Sequence, residues 1–192
     1  MAYESPEFHP AFEEYCETIF ELAEDGIDVI QARIVERLNV SRPAVSEMIK
    51  KLSEAKLIEL RGTAICLTKD GNSLANQVVR RHRLAERFLT DILGLSWAEA
   101  HHEAGKWEHV VSSRVEAAFL RLLEDPTTCP HGNPIPGTNY QTPEGTSSLC
   151  DVIVGTSFVV ERIPSLIVGV GTGTSLIILP ITSFLLIKNL NL

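Results

Sequence analysis

The sequence predicts a mainly α-helical chain that contains one small β-hairpin. Apolar residues recur at helical spacing in several segments before residue 124, and helix-stop signals separate these segments. Two short apolar runs flank a polar, glycine-containing turn near residue 62. With 192 residues, the chain is long enough for one or two domains that each bury a core.

The first three predicted helices are short and amphipathic. The first covers residues 9–24, the second residues 29–38 and the third residues 42–55. Ser41 has the side chain of a helix N-cap, and only three residues separate the second helix from the third. This spacing predicts a helix-turn-helix.

A predicted β-hairpin follows, with strands at residues 57–60 and 64–68. A long helix then covers about residues 72–93, and residues 96–123 form one or two further helices. A hairpin directly after a helix-turn-helix is a wing. Residues 1–75 are therefore predicted to form a winged helix-turn-helix domain.

The composition changes beyond residue 124. Residues 125–147 are rich in Pro, Gly, Thr, Ser and Asn, which predicts an irregular tether. Residues 163–187 carry no charge and are long enough to cross a bilayer, but their glycines, prolines and hydroxyl side chains favour strands and turns. For residues 148–192 a small β module, a membrane segment and an unfolded tail all stay open.

Charge is distributed unevenly along the chain. Residues 29–83 hold eleven Lys or Arg and five acidic residues, a net charge of +6, whereas the whole chain has a net charge of −8. A basic segment within an acidic protein is typical of a domain that binds a polyanion and has a separate control region. The alternative is an ordinary solvated helical surface.

The cysteines predict a reducing compartment. Cys16, Cys66, Cys129 and Cys150 form no CxxC pair, and the first twenty residues are acidic, unlike a secretory leader. We expect reduced thiols in a cytoplasmic protein.

The helix-turn-helix predicts a DNA-binding surface. In such a helix pair the second helix enters the major groove, where its N-terminal side chains meet base edges while other groups contact phosphates. The predicted DNA-binding residues are Arg33, Ser41, Arg42, Pro43, Ala44, Ser46, Glu47, Lys50, Lys51 and Arg61. The alternative is a plain three-helix core that binds no nucleic acid, but the wing and the charge distribution favour DNA.

A second set of residues has the chemistry of metal ligands. Glu14 and Glu17 lie three apart on the first helix, and His82 and Glu86 lie four apart on the long helix, so each pair shares a helix face. Imidazole and carboxylate donors together suit divalent transition metals, and hard oxygen donors favour Mn²⁺ and Fe²⁺. Each side chain could instead be an ordinary solvated group, and the spacing alone leaves both interpretations open.

Three segments resemble the diphtheria toxin repressor family of metal-dependent regulators. They are RRHRLAERFL at residues 80–89, WEHVVS at residues 107–112 and PHGNPIPG at residues 130–137. With the helix-turn-helix they cover about residues 10–140. The resemblance implies a helical dimerisation and metal-binding domain at residues 76–124, and in many members a C-terminal SH3-like module.

The resemblance also implies two metal sites. One would consist of His82, Glu86 and His101, and the other of Glu14, Glu108 and His109. Manganese-responsive members carry carboxylates at the positions of Glu14 and Glu17, so we expect Mn²⁺ first and Fe²⁺ next. Gly105 departs from the family, which has Cys or Glu there, so its backbone carbonyl, water or His102 would have to substitute.

The sequence thus predicts a metal-dependent transcriptional regulator, by resemblance a repressor of metal-uptake genes. We expect a homodimer that binds a palindromic DNA operator, takes no small organic substrate and is not an enzyme. Metal would tie the first helix to Glu108 and His109 and so set the spacing of the two recognition helices. The alternatives are a DNA-binding protein that senses no metal and uses its acidic helices for protein contacts, a membrane-tethered regulator, and a metalloenzyme, which the lack of an HExxH motif disfavours.

Overall fold

The computed structural model of the protein describes residues 10–148, 158–163 and 186–189. These residues form six helices and five short strands. The helices are α1 (Pro10–Glu24), α2 (Gln31–Leu38), α3 (Arg42–Glu54), α4 (Lys69–Asp91), α5 (Trp97–Trp107) and α6 (Ser113–Leu122). The strands are β1 (Ile58–Arg61), β2 (Ala64–Leu67), β3 (Thr146–Ser148), β4 (Phe158–Arg162) and β5 (Leu186–Asn189).

The predicted winged helix-turn-helix is confirmed. Asn39 ends α2 in the left-handed conformation, with φ 51°, and the Ser41 hydroxyl caps α3 by accepting a hydrogen bond from the Ala44 amide at 3.3 Å. Strands β1 and β2 pair antiparallel, and Gly62 in the turn between them has φ 65°. A buried cluster from α1, α2, α3, the hairpin and the first turns of α4 forms the core of this part.

The predicted start of α4 after residue 71 is wrong, because the helix begins at Lys69. The Thr68 hydroxyl caps it by accepting a hydrogen bond from the Gly71 amide at 3.1 Å. Gly71 lies inside the first turn rather than in a connecting turn. A Cβ atom at this position would overlap the Leu57 carbonyl oxygen, so this glycine allows the helix to approach the hairpin.

Helix α4 connects the two buried cores of the described chain. Leu74 and Ala75 belong to the core of the winged helix, and Leu84, Ala85 and Leu89 belong to a second core with α5 and α6. Its 23 residues correspond to about 35 Å of helix. One rigid element therefore extends from the wing to the helical region beyond it.

The segment predicted as an irregular tether packs against α4. Alternate residues of it are buried, namely Cys129, His131, Asn133 and Ile135. Its carbonyl groups accept hydrogen bonds from α4, since Arg80 donates to Pro136 and Arg83 donates to Pro134. This segment thus contributes side chains to the helical region.

The described C-terminal residues form a three-stranded antiparallel sheet in the order β3-β5-β4. This sheet contacts the rest of the chain through β4, where Arg162 forms ion pairs with Glu24 at 3.2 Å and with Asp25 at 2.9 Å. Strands β4 and β5 lie within residues 148–192, the segment for which the sequence left a small β module as one of three alternatives. Residues 164–185, most of the uncharged stretch, lie outside the described residues.

No helix in the described part of the chain combines the length and the apolar character needed to cross a bilayer.

Gly132 is the residue at which β4 approaches the buried loop. It has φ 83°, and a Cβ atom there would overlap the Glu161 carbonyl oxygen. We expect Gly132→Ala to destabilise the fold by more than the ~1–2 kcal/mol of left-handed strain alone. Gly94→Ala is the matched control, because Gly94 has φ 71° but open space around it. Thermal unfolding of both variants measures the difference, and equal changes in Tm would contradict the contact with β4.

Candidate metal centres and DNA-binding surface

His82 lies in the middle of α4 and uses both ring nitrogens. Its Nε2 lies 3.3 Å from Glu86 Oε1 and 3.0 Å from His101 Nδ1, and His101 Nδ1 lies 2.8 Å from the same Glu86 oxygen. His82 and Glu86 are buried, while His101 on α5 is partly exposed. The helical spacing brings the first two together, and the packing of α5 on α4 adds the third.

On the opposite edge of the same ring, His82 Nδ1 faces two carboxylates. It lies 2.5 Å from Glu108 Oε2 and 3.9 Å from Glu17 Oε1. Glu108 also approaches His109, with 3.2 Å between Oε1 and Nε2. The predicted ligand sets, His82–Glu86–His101 and Glu14–Glu108–His109, are therefore neighbours, and the second edge of the His82 ring faces Glu108 and Glu17.

A cleft of about 410 Å³ lies above this second group, between α1, α2, α4 and α5. Seven of the eight predicted metal ligands line it, and the eighth, Glu86, lies directly behind His82 and His101. The seven are Glu14, Glu17, His82, His101, Gly105, Glu108 and His109. A Cβ atom at Gly105 would meet no other atom within 4 Å, so the absent side chain leaves space in the cleft.

Glu13 is a site residue that the sequence interpretation missed. Its Oε2 lies 2.6 Å from His109 Nδ1, and its side chain is buried, whereas Glu14 is exposed at the mouth of the cleft. Glu13 and Glu17 lie four residues apart, so their shared helix face could have indicated this pair. Glu13 therefore contacts His109, while Glu14 lines the same cleft as His109.

The ionisation of this cluster is strongly coupled. Burial by itself lowers the pKa of His82, but the charges of Glu86 and Glu108 and their hydrogen bonds outweigh it and raise this pKa well above its usual value. Burial raises the pKa of Glu17 well above its usual value, and the nearby charge of Glu108 adds to this effect. A divalent cation would offset the repulsion between these carboxylates.

Glu86 has a second group of neighbours in the buried loop. His131 Nδ1 lies 3.4 Å from Glu86 Oε1, and Cys129 Sγ lies 3.7 Å from His131 Nδ1. Burial raises the pKa of the Cys129 thiol to about 12, with a further contribution from the charge of Glu86. The sequence interpretation used this segment only as a family signature, because a loop has no periodicity that predicts which side chains turn inward.

Among the residues that the structure describes, three groups of donor atoms thus converge closely enough to hold an ion, with all atoms of a group within 4.8 Å of one another. They are His82–Glu86–His101, Glu17–His82–Glu108 and Glu86–Cys129–His131. The second contains two carboxylates and one imidazole, a donor set that suits Mn²⁺ and Fe²⁺. The residues present fit a divalent transition metal.

The predicted DNA-binding residues all lie on the surface of α2, α3 and the hairpin. Every one of them is exposed: Arg33, Ser41, Arg42, Pro43, Ala44, Ser46, Glu47, Lys50, Lys51 and Arg61. Lys51 pairs with Glu47 at 2.7 Å across one helical turn. Such exposed ion pairs are weak, so Lys51 can exchange Glu47 for a phosphate at little cost.

An ion pair joins the winged helix to the wall of the cleft. Arg37 near the end of α2 contacts Glu21 of α1 at 2.6 Å, and both residues line the cleft. Glu21 lies one turn beyond Glu17 on the same helix face. This ion pair links α1 to α2 beside the cleft.

The helical region beyond the winged helix exposes several large apolar side chains. They fall within residues 92–122 and are Ile92, Leu93, Trp97, Val110, Val115 and Leu122. Their exposed fractions range from 42% to 61%. Where such side chains form one contiguous patch, they are typical of a surface that contacts a partner.

Comparison with known proteins matches two family models. Residues 7–63 match the iron dependent repressor, N-terminal DNA binding domain, and residues 68–137 match the iron dependent repressor, metal binding and dimerisation domain. The iron-dependent repressor IdeR of Mycobacterium tuberculosis is 47% identical over 126 residues, which are 65% of this chain and 55% of that protein. The diphtheria toxin repressor of Corynebacterium diphtheriae is 44% identical over 126 residues, which are 65% of this chain and 56% of that protein.

Solved structures resemble the fold over a larger part of the chain. A manganese-dependent transcriptional repressor in complex with manganese is 37% identical, with a TM-score of 0.73, over 81% of this chain and 72% of that one. The manganese regulator SloR is 34% identical, with a TM-score of 0.67, over 81% of this chain and 74% of that one. The matched part spans only about half the length of the curated relatives. On these matches, the chain belongs to the diphtheria toxin repressor family of iron- and manganese-dependent repressors.

Proposed function

We propose that this protein is a metal-dependent transcriptional repressor that binds a palindromic DNA operator as a homodimer. The observation that carries the proposal is the cleft between α1, α2, α4 and α5, where ligands from three helices meet beside the winged helix. Membership of a repressor family supports the same activity. We propose metal-uptake genes as its targets, the cytoplasm as its location, and no enzymatic activity.

We propose Mn²⁺ as the activating ion and Fe²⁺ as the next candidate. Glu17, His82 and Glu108 would hold the ion, with His109 and Glu14 at the same cleft and Glu13 in contact with His109. His82, Glu86 and His101 would form a second centre. The excess of carboxylate oxygens supports Mn²⁺ and Fe²⁺ over softer metals in the first of these sites.

The activation step would be a change in the position of α1. An ion held by Glu17 on α1, His82 on α4 and Glu108 after α5 ties these elements together, and the Arg37–Glu21 pair passes the constraint to α2. Metal must bind the DNA-competent arrangement more tightly than the other one in order to shift the equilibrium. Helix α4 carries the proposed ligands His82 and Glu86, and its first turn packs against the hairpin at Leu67.

The proposed organisation assigns a role to each part of the chain. Residues 1–75 would bind DNA, and residues 76–124 would bind metal and form the dimer through the exposed apolar side chains between residues 92 and 122. Residues 125–147 would join this region to a C-terminal β module within residues 148–192. A homodimer presents two recognition helices, which matches a palindromic operator.

The test is DNA binding by the full chain, with a chelator and then with added Mn²⁺, Fe²⁺ or Zn²⁺, on a promoter fragment of a metal-transport gene. We expect binding only with metal, and a fall in affinity with salt whose log-log slope is about −0.9 per phosphate contact. Lys50→Ala should reduce that slope by about 1, while the matched change Lys106→Ala on α5 should not. Equal DNA affinity in the presence of chelator and of metal would show that the protein binds DNA without sensing metal.

A further inference from the structure

The group formed by Glu86, Cys129 and His131 is more deeply buried than the other candidate centres. These residues are 2%, 2% and 4% exposed, and their donor atoms all lie within 4.8 Å of one another. Glu86 Oε1 lies 3.4 Å from His131 Nδ1 and 2.8 Å from His101 Nδ1. The same carboxylate oxygen therefore joins this group to His101.

His131 carries an unexplained polar atom. Its Nε2 is buried and has no hydrogen-bond partner among the described residues, and the ring packs edge-on against Trp97 with 5.3 Å between centroids. Buried polar atoms nearly always have a partner, and an exception requires an explanation. An ion bound through Nδ1, the nitrogen that faces Glu86 and Cys129, would not supply that partner, so the support for an ion site is the convergence of donors at Nδ1.

The loop holds these two side chains in fixed positions. The Cys129 amide donates to the Asn133 carbonyl at 2.9 Å, and the Gly132 amide donates to the Cys129 carbonyl at 3.0 Å. The Ile163 amide after β4 donates to the His131 carbonyl at 2.8 Å. Donors that backbone hydrogen bonds fix in this way are preorganised, as metal ligands need to be.

We propose that Cys129 and His131 bind the same ion as Glu86 and His101, which makes this centre a thiolate-containing site. The thiol loses its proton to solvent when the Sγ–metal bond forms. The proposal extends the centre at Glu86 described above and rests on that centre binding an ion. It does not depend on which metal triggers DNA binding.

The two candidate centres then differ in metal preference. Sulfur and nitrogen donors select Zn²⁺ and Fe²⁺, whereas the carboxylates of Glu17 and Glu108 suit Mn²⁺. One chain would thus hold a thiolate site for a borderline metal beside an oxygen-rich site for a harder one. The buried loop, through Cys129 and His131, would become part of the metal-binding region.

Co²⁺ tests this proposal because a cobalt–thiolate bond gives a charge-transfer band in the near ultraviolet. We expect the full chain to show the band on titration with Co²⁺, and Cys129→Ser to lose it. The matched control Cys66→Ser changes a thiol on the hairpin strand β2 and should retain the band. His131→Phe should weaken Co²⁺ binding by at least about tenfold.

A measurement on the unaltered chain covers the case in which a variant fails to fold. X-ray absorption of the Zn²⁺-loaded protein should show a sulfur neighbour at about 2.3 Å. Bound Co²⁺ or Zn²⁺ with only nitrogen and oxygen neighbours would overturn the thiolate site while leaving the proposed function intact. A charge-transfer band that persists in folded Cys129→Ser would also overturn it. If equilibrium dialysis detected no bound ion, the proposal that the Glu86 centre binds metal would be overturned as well.

Discussion

Replacing Glu108 by glutamine is expected to raise the Mn²⁺ concentration needed for DNA binding by about 100-fold, equivalent to about 2.7 kcal/mol. Glu108 is buried between His82 and His109, and its two oxygens face one imidazole each. Glutamine keeps the size of the side chain but removes the charge and one oxygen donor. The loss lies within the about 1.5–3 kcal/mol typical of interactions with a charged group.

Fluorescence anisotropy of labelled operator DNA against Mn²⁺ concentration measures this effect. The matched control is Glu99→Gln, because Glu99 lies on α5, the helix that Glu108 follows, is exposed, and belongs to a capping box that also accepts glutamine. Both variants should keep the circular dichroism spectrum of the parent chain. An unchanged Mn²⁺ requirement in Glu108→Gln would remove Glu108 from the proposed metal site.

The second large effect is a gain of metal affinity in Gly105→Glu. Gly105 lies in α5 and lines the cleft, and a Cβ atom there meets open space. A glutamate adds a carboxylate beside Glu108, and hard oxygen donors favour Mn²⁺. We expect the Mn²⁺ concentration for half-maximal DNA binding to fall by about tenfold, which is about 1.4 kcal/mol.

Gly105→Ala separates this gain from the stability of the helix. Alanine removes the cost of a helical glycine, about 0.5–1 kcal/mol, but adds no ligand. Its Tm should therefore rise by a few degrees while its Mn²⁺ requirement stays that of the parent chain. If alanine and glutamate lowered the Mn²⁺ requirement equally, helix stability rather than a new ligand would explain the gain.

The local elements of this protein were predictable because their signals are local. Amphipathic periodicity predicted the helices, and Ser41 and Gly62 marked the ends of elements that the structure contains. Helical spacing also paired His82 with Glu86 correctly, since residues four apart share a face. The start of α4 was placed after Gly71, whereas this glycine lies in the first turn of the helix, where it allows a close approach to Leu57.

The metal centres were only partly predictable. Helical spacing placed Glu14 and Glu17 on one helix, but the rotation of α1 against α5 buries Glu13 beside His109 and leaves Glu14 exposed. The position of His82 between two groups of donors also follows from packing. The contacts of His82 with His101 and Glu108, and of His109 with Glu13, have no sequence pattern, because these partners are 19, 26 and 96 positions apart.

The sequence by itself determined the helices, the wing, the basic recognition surface and the types of metal donor, because periodicity, capping and charge act over a few neighbouring residues. Only the tertiary structure decided which donors meet. The contacts of His109 with Glu13 and of His131 with Glu86 arise where separate elements pack. The burial of Cys129 in a loop that lies against α4 also arises from packing, since a loop carries no period that specifies its inward side chains.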